Sequence, residues 1–69
     1  MKTLVKDGIS VYLFADDKVV NTTAEYTEIG SPVEIIAGDC NTSNSVIHTG
    51  VTAPENWTGT RYLFDGTTW

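Results

Sequence analysis

Hydrophobic and polar positions alternate along much of this chain, with the two-residue period of a β-strand. In the stretch SVYLF, Val11 and Leu13 point to one face, while Tyr12 and Phe14 point to the other. No window of about eleven residues holds the 3.6-residue period of a helix. Thr, Val, Ile and the aromatic residues, which favour a pleated and half-buried surface, dominate instead. The pattern therefore predicts an all-β fold.

The positions of the predicted strands follow from short alternating runs that turn residues separate. Because they are so short and so closely spaced, we expect a small antiparallel meander, sandwich or barrel with Asp-Gly hairpins and no βαβ unit. The predicted strands are Thr3–Lys6, Ile9–Phe14, Lys18–Thr22, Val33–Ala37, Ser45–His48, Arg61–Phe64 and Thr67–Trp69.

The strongest hairpin signals are the Asp-Gly steps in KDGI and FDGT, since Asp-Gly favours the type I′ turn that matches strand twist. ADDK is a weaker third turn. A two-residue turn at Asp65-Gly66 would place Phe64 opposite Thr67 and Leu63 opposite Thr68. The same register would pair the rings of Tyr62 and Trp69, a contact that stabilises a sheet by about 0.2–1 kcal/mol.

The length of 69 residues predicts a single domain, residues 1–69. A chain this short buries only about 60% of its unfolded surface, so it is marginally stable unless something else helps. Cys40 is the only cysteine, which excludes a disulfide within the monomer and indicates a reducing environment. Self-association is therefore the most natural source of additional stability.

The balance of charge is acidic, with nine Asp and Glu against four Lys and Arg and a net charge of −5. Nucleic-acid binding needs clustered cations, whereas these four are scattered, so we expect no nucleic-acid partner. No run approaches the ~18 apolar residues of a membrane span, and we expect no membrane partner. Lys6, Asp7 and Gly8 interrupt the N-terminal apolar run, so it does not resemble a signal peptide.

Candidate catalytic and metal-binding groups are few. The loop Asp39–Asn44 starts like a calcium loop but has Asn44 and Gly50 where that motif needs glycine and glutamate, so we interpret it as an Asx-rich turn. Cys40 and His48 lack a third orienting group, so we interpret them as a semi-buried thiol and a surface histidine. Asp16-Asp17 fits a turn that faces water. We expect no enzyme, no metal and no cofactor.

The aromatic residues of the C-terminal segment are the most informative set. We predict that they chiefly supply core mass to a chain with few other large side chains. A sugar-stacking or partner-docking surface remains an alternative. The candidate interface or ligand-stacking residues are Trp57, Arg61, Tyr62 and Trp69.

The segment APENWTGTRYLFDGTTW resembles a pattern in small proteins of marine and cyanobacterial tailed phages and at the ends of phage tail or virion proteins. The matching residues are Pro54, Trp57, Gly59, Arg61, Tyr62, Phe64, Asp65, Gly66 and Trp69. KTLVKDGISVYLFADD and GDCNTSN are similar to the same phage proteins. Those relatives continue a few residues past the last tryptophan, so we expect a shortened final strand here.

The resemblance carries no catalytic residues and implies a phage origin, with a place in or around the particle. We therefore expect a non-enzymatic accessory structural protein of the head or tail, which contacts copies of itself and other virion proteins. One alternative is a carbohydrate-recognition module of a tail appendage, which would bind a glycan. Another is a small protein that redirects a host enzyme in the host cytoplasm during infection.

Overall fold

The computed structural model describes residues 1–69 and contains strands but no helix. The strands are β1 Lys2–Lys6, β2 Ile9–Phe14, β3 Val20–Thr22, β4 Thr27–Ile29, β5 Ile35–Ala37, β6 Ser45–His48 and β7 Tyr62–Leu63. One antiparallel sheet has the order β6-β1-β2-β7, and a second has the order β3-β4-β5. Neither sheet closes into a barrel, and the all-β antiparallel fold class is confirmed.

The hairpin of β1 and β2 has the turn that its sequence predicts. Asp7 and Gly8 have φ values of 52° and 81°, the two positive angles that a type I′ turn requires. The register then shifts between Leu4 and Val5. Leu4 pairs with Tyr12 and Val5 with Ser10, so Val11 is the extra residue of a β-bulge.

The predicted FDGT hairpin is wrong. No strand forms at Thr67–Trp69. The hairpin would need the N–H groups of Phe64 and Thr67, but the N–H of Phe64 donates to the carbonyl of Gly8 and the Asp65 carboxylate accepts from that of Thr67. Asp65 Oδ1 accepts from the N–H of Thr67 at 2.9 Å and from that of Thr68 at 2.7 Å. The preceding strand, β7, pairs with β2 instead, with Leu63 opposite Ile9.

Three further differences from the predicted strands lie in the second sheet. β4, Thr27–Ile29, was not predicted, whereas β3 and β5 begin two residues later than expected. ADDK does turn, since the N–H of Lys18 donates to the carbonyl of Ala15 at 3.0 Å. This turn leads out of the first sheet, so it connects two sheets and does not form a hairpin.

The hydrophobic core lies where the two sheets meet. Leu4 of β1 packs with Ala37 of β5 and with Cys40, and all three are buried. Partly buried apolar side chains surround this cluster: Val11, Tyr12, Phe14 and Ile47. The core therefore draws most of its aromatic mass from β2, while the C-terminal segment adds one buried ring, Phe64.

Candidate functional site

The C-terminal segment lies along β2, to which backbone hydrogen bonds join it. The N–H of Thr60 donates to the carbonyl of Ser10 at 2.9 Å, and that of Phe64 donates to the carbonyl of Gly8 at 2.9 Å. Gly59 permits the close approach, because a Cβ there would lie 2.9 Å from the carbonyl oxygen of Val11. The bulge of β2 and a glycine of the C-terminal segment thus fit against each other.

A chain of hydrogen bonds fixes Trp57 to the first sheet. Its indole Nε1 donates to Ser10 Oγ at 2.9 Å, and the Ser10 and Thr3 hydroxyl oxygens are 2.6 Å apart. Thr3 Oγ1 donates to the carbonyl of Tyr12 at 2.8 Å. A carbonyl only accepts and an indole N–H only donates, so Ser10 must donate to Thr3. Trp57 is half-buried, and the hydrogen bond at its indole Nε1 fixes its position against β2.

The remaining aromatic rings of the segment form a cluster. Phe64 stacks on Trp69 with ring centroids 4.2 Å apart, and Tyr62 meets Trp69 edge-on at 6.5 Å. His48 meets Phe64 edge-on at 5.2 Å. Tyr62 and Trp69 are half-buried, whereas Phe64 is buried. The predicted contact between Tyr62 and Trp69 thus exists, although no strand pairing brings it about.

A groove of about 540 Å³ lies beside this cluster. It brings together two of the predicted candidate residues, Arg61 and Tyr62, with Asn56 and Thr58, which the sequence did not single out. Trp57 and Trp69 do not line it. The groove combines an aromatic ring with a guanidinium, an amide and two hydroxyl groups, a set that can both stack on a ligand and hydrogen-bond to it.

Arg61 is distinguished by its electrostatic surroundings. The other cationic groups each contact an oxygen: the N-terminus with Asp16, Lys6 with Asp39, Lys18 with Glu34, and Lys2 with a backbone carbonyl. The guanidinium of Arg61 forms no such contact and is exposed. In an acidic protein it is the cation most available to an external anion or hydrogen-bond acceptor.

The polar loop Asp39–Asn44 satisfies its own backbone, as predicted. Asn44 Oδ1 accepts from the N–H of Asn41, and Asn41 Oδ1 accepts from the N–H of Ser43, both at 2.9 Å. Asn44 Nδ2 donates to the carbonyl of Asp39 at 2.9 Å. No three His, Cys, Asp or Glu side chains are grouped so that they could hold a metal ion. The side-chain amides of Asn41 and Asn44 are thus engaged in an Asx-rich turn.

Cys40 and His48 have separate surroundings. The thiol is fully buried, not semi-buried as predicted, because Cys40 packs into the core between the sheets. Burial raises the pKa of Cys40, and its thiol donates to Asp39 Oδ1 at 3.7 Å. His48 is half-buried instead of lying on the surface, because Phe64 and Gly66 pack against its ring. A raised thiol pKa disfavours the nucleophilic thiolate.

Asp16 and Asp17 face water in the turn after β2, as predicted. The N-terminal ammonium group lies 3.1 Å from Asp16 Oδ2, and this hydrogen bond lowers the pKa of Asp16. The N–H of Gly50 donates to Asp16 Oδ1 at 3.3 Å and lowers the pKa further. The carboxylate thus links the start of β1 to the segment after β6.

Sequence reasoning missed the roles of Ser10 and Thr3. A serine or threonine within a strand does not indicate a hydrogen-bonding role by its sequence alone, because such residues are also common in strands without one. The alternation did contain a hint, since Ser10 occupies an inward position of β2. Its partner Trp57 is far away in sequence, and only the fold brings the two together.

No family model, curated protein or solved structure matches this chain. The structure contains no helix that could cross a membrane. The two-sheet arrangement, its edges and the groove beside Tyr62 are therefore the features from which a function can be argued.

Proposed function

We propose that this chain is a non-enzymatic accessory structural protein of a bacteriophage, located in the head or the tail, which acts through protein–protein contacts in a homo-oligomer. The phage origin comes from the resemblance of the C-terminal segment. The exposed side chains of the sheet edges support the proposed mode of action.

The observation that carries this proposal is the exposure of large aliphatic side chains on three of the four edge strands. Leu63 of β7 is 70% exposed, Val46 of β6 is 56% exposed, and Ile36 of β5 is 61% exposed. Soluble monomers usually protect their edges with charges, prolines or covering loops. Exposed aliphatic side chains on edge strands are typical of surfaces that contact another chain.

The small core supports the same proposal. Only 11 of the 69 residues are buried, and six of them are apolar. A chain of this size without a disulfide gains stability when association covers more apolar surface. In a particle, that covering would come from copies of the same chain and from neighbouring virion proteins.

Mass spectrometry of purified phage particles tests the proposal. We expect the chain at a fixed number of copies relative to the major structural proteins, through successive gradient purifications. An abundant non-structural phage protein serves as the control for contamination. If the chain falls with that control at each purification step, the virion assignment is refuted. A pull-down from host lysate would then identify the host enzyme that the alternative requires.

The groove favours a second candidate, a carbohydrate-recognition module of a tail appendage. Sugar binding uses hydrogen-bond donors and an aromatic ring, and Arg61 and Tyr62 supply both in the groove. Trp57 is less suited to this role, because its indole N–H already donates to Ser10. Glycan-array binding that Arg61→Ala abolishes and Lys6→Ala preserves would support this candidate. A blank array with the wild-type protein would exclude it for the sugars tested.

A further inference from the structure

The outer strand of the second sheet, β5, has a neighbour on one side only. β4 pairs with it, and no strand follows β5 in the sheet order β3-β4-β5. Its aliphatic side chains are exposed: Ile36 by 61%, Ile35 by 47% and, just before the strand, Val33 by 45%. The other three edge strands differ, because β3 and β6 lie against each other and β7 has only two residues.

The direction of the backbone groups of β5 follows from the ladder between β3 and β4. Thr23 donates to the carbonyl of Tyr26, and Gly30 donates to that of Val19. Hydrogen-bonded and non-hydrogen-bonded pairs alternate in an antiparallel ladder, so Glu28 also directs its backbone towards β3.

Thr27 and Ile29 therefore direct their backbone groups towards β5. They lie opposite Ala37 and Ile35. Ile36, between these two, must direct both its N–H and its C=O away from β4. The outward N–H and C=O of Ile36 belong to the open edge.

Two flanking backbone groups extend this row. The N–H of Gly38 and the C=O of Glu34 make no hydrogen bond within the chain, whereas the N–H of Glu34 already donates to the carbonyl of Ile29 at 2.8 Å. The open edge thus presents the N–H and C=O of Ile36, with an acceptor at Glu34 and a donor at Gly38. When the same edge of a second copy runs antiparallel to this one, the donors of each copy lie opposite the acceptors of the other.

We propose that β5 pairs antiparallel with β5 of a second copy across a two-fold axis, with Ile36 opposite Ile36 of the partner subunit. In this register the two Ile36 residues exchange N–H···O=C bonds, and each Gly38 N–H donates to the Glu34 carbonyl of the other copy. The two three-stranded sheets become one continuous sheet. The inference rests on the proposed homo-oligomer and specifies which edge forms it.

A register with Ile35 on the axis is less favourable. It would place Glu34 opposite Ile36 of the second copy, and the N–H of Glu34 already donates to the carbonyl of Ile29. One of the two hydrogen bonds of each Glu34–Ile36 pair would therefore be lost. A buried N–H or C=O left without a partner costs about 1–3 kcal/mol, so the Ile36-centred register is preferred over the Ile35-centred one.

The charges beside β5 permit this pairing in a protein of net charge −5. Glu34 is the acidic residue next to the strand, and Lys18 Nζ lies 2.6 Å from its Oε2. In the proposed register Glu34 faces Gly38, which has no side chain. Like charges are therefore not brought together at the axis, and the paired side chains are aliphatic.

A disulfide across the axis tests the register. Residues of a hydrogen-bonded pair have Cα atoms about 5.5 Å apart, within the range of about 4.4–6.8 Å that disulfides need. Diagonal neighbours are about 7–8 Å apart, which is too far. Under mild oxidation we expect Ile36→Cys to form a disulfide-linked dimer, while Ile35→Cys and the wild type, whose Cys40 is buried, stay monomeric on non-reducing gels.

A charge substitution tests the same edge without a cross-link. We expect Ile36→Lys to shift the protein towards monomer in size-exclusion chromatography with light scattering. Val46→Lys adds the same charge on the edge strand β6 and distinguishes that edge from β5. The matched control is Val19→Lys, at a position that is 51% exposed and outside the strands, and it should leave the association unchanged. Circular dichroism confirms that each variant is folded before the comparison.

The possible outcomes separate this inference from the proposed function. Faster cross-linking of Ile35→Cys than of Ile36→Cys would overturn the register. An oligomer that resists Ile36→Lys but dissociates with Val46→Lys would overturn the choice of edge and leave the homo-oligomer standing. A wild-type chain that stays monomeric at millimolar concentration would overturn the pairing, while the virion assignment would still be decided by particle composition.

Discussion

Replacement of Ser10 by alanine tests the hydrogen-bond chain that ties Trp57 to the first sheet. Ser10 and Thr3 are both 0% exposed, so no water replaces the lost hydroxyl. The indole N–H of Trp57 loses its acceptor, and Thr3 loses an incoming donor. An unpaired buried polar group costs about 1–3 kcal/mol, and since Trp57 is half-buried we expect a total of about 2 kcal/mol.

The size of the chain makes this loss easy to measure. A loss of 1 kcal/mol lowers the Tm of a domain of 60–100 residues by about 4–8 °C, so Ser10→Ala should lower it by about 8–16 °C. Urea denaturation followed by far-UV circular dichroism gives the free energy of unfolding directly. The exposed Ser43→Ala is the control and should stay within about 0.5 kcal/mol of the wild type.

A double-mutant cycle with Trp57→Phe isolates the hydrogen bond. Phenylalanine keeps a ring but has no N–H, so Ser10→Ala should cost about 1 kcal/mol less in that background. The reasoning is refuted if Ser10→Ala alone costs under about 0.5 kcal/mol. It is also refuted if the two substitutions are additive within about 0.3 kcal/mol, because the contact would then carry no coupling.

Three further predictions follow from single residues. Gly59→Ala should cost about 1–3 kcal/mol in urea denaturation, because its Cβ would lie 2.9 Å from the Val11 carbonyl oxygen. Gly38→Ala, which meets nothing within 4 Å, is its control and should stay within about 0.5 kcal/mol. Cys40 should react with a thiol reagent at pH 8 only as the protein opens, since burial raises its pKa; rapid labelling of the folded protein would contradict this. Backbone N–H groups lower the folded-state pKa of Asp65, so its contribution to stability is present above the unfolded pKa of ~3.9 and is lost as the pH falls through the folded-state pKa. Asp65→Ala should therefore be less stable than the wild type at pH 7, with the difference closing in acid; a constant difference from pH 7 to pH 2 would contradict the assignment.

The two Asp-Gly steps show what the sequence could and could not predict. At Asp7-Gly8 the flanking strands are both long enough to pair, and the type I′ turn forms as expected. At Asp65-Gly66 the same dipeptide is followed by two threonines whose N–H groups the Asp65 side chain captures. A local motif predicts a hairpin only when no competing side-chain bond is available.

The rest of the fold depended on contacts between distant residues. β4 was not predicted because a three-residue strand between Tyr26 and Gly30 shows too little alternation to identify. The pairing of β7 with β2 could not be read from spacing, since a tight turn favoured a partner at Thr67–Trp69. In the groove, Arg61 and Tyr62 were predicted because they stand out by residue type. Asn56 and Thr58 were not, since only the path of the chain brings them to the same place.

The strand order β6-β1-β2-β7 also determines when the protein can fold. The β1–β2 hairpin is local and can form within about 1–10 μs, but its two neighbours come from the later part of the chain. Thr3 of β1 pairs with His48, and Ser10 of β2 pairs with Tyr62, so neither pair can form until the later residue has been synthesised. At a synthesis rate of about 5–20 residues per second, the hairpin stays open on both sides for seconds. Translation speed between residues 15 and 62, and any chaperone that covers an open hairpin, therefore bear directly on the yield of folded protein.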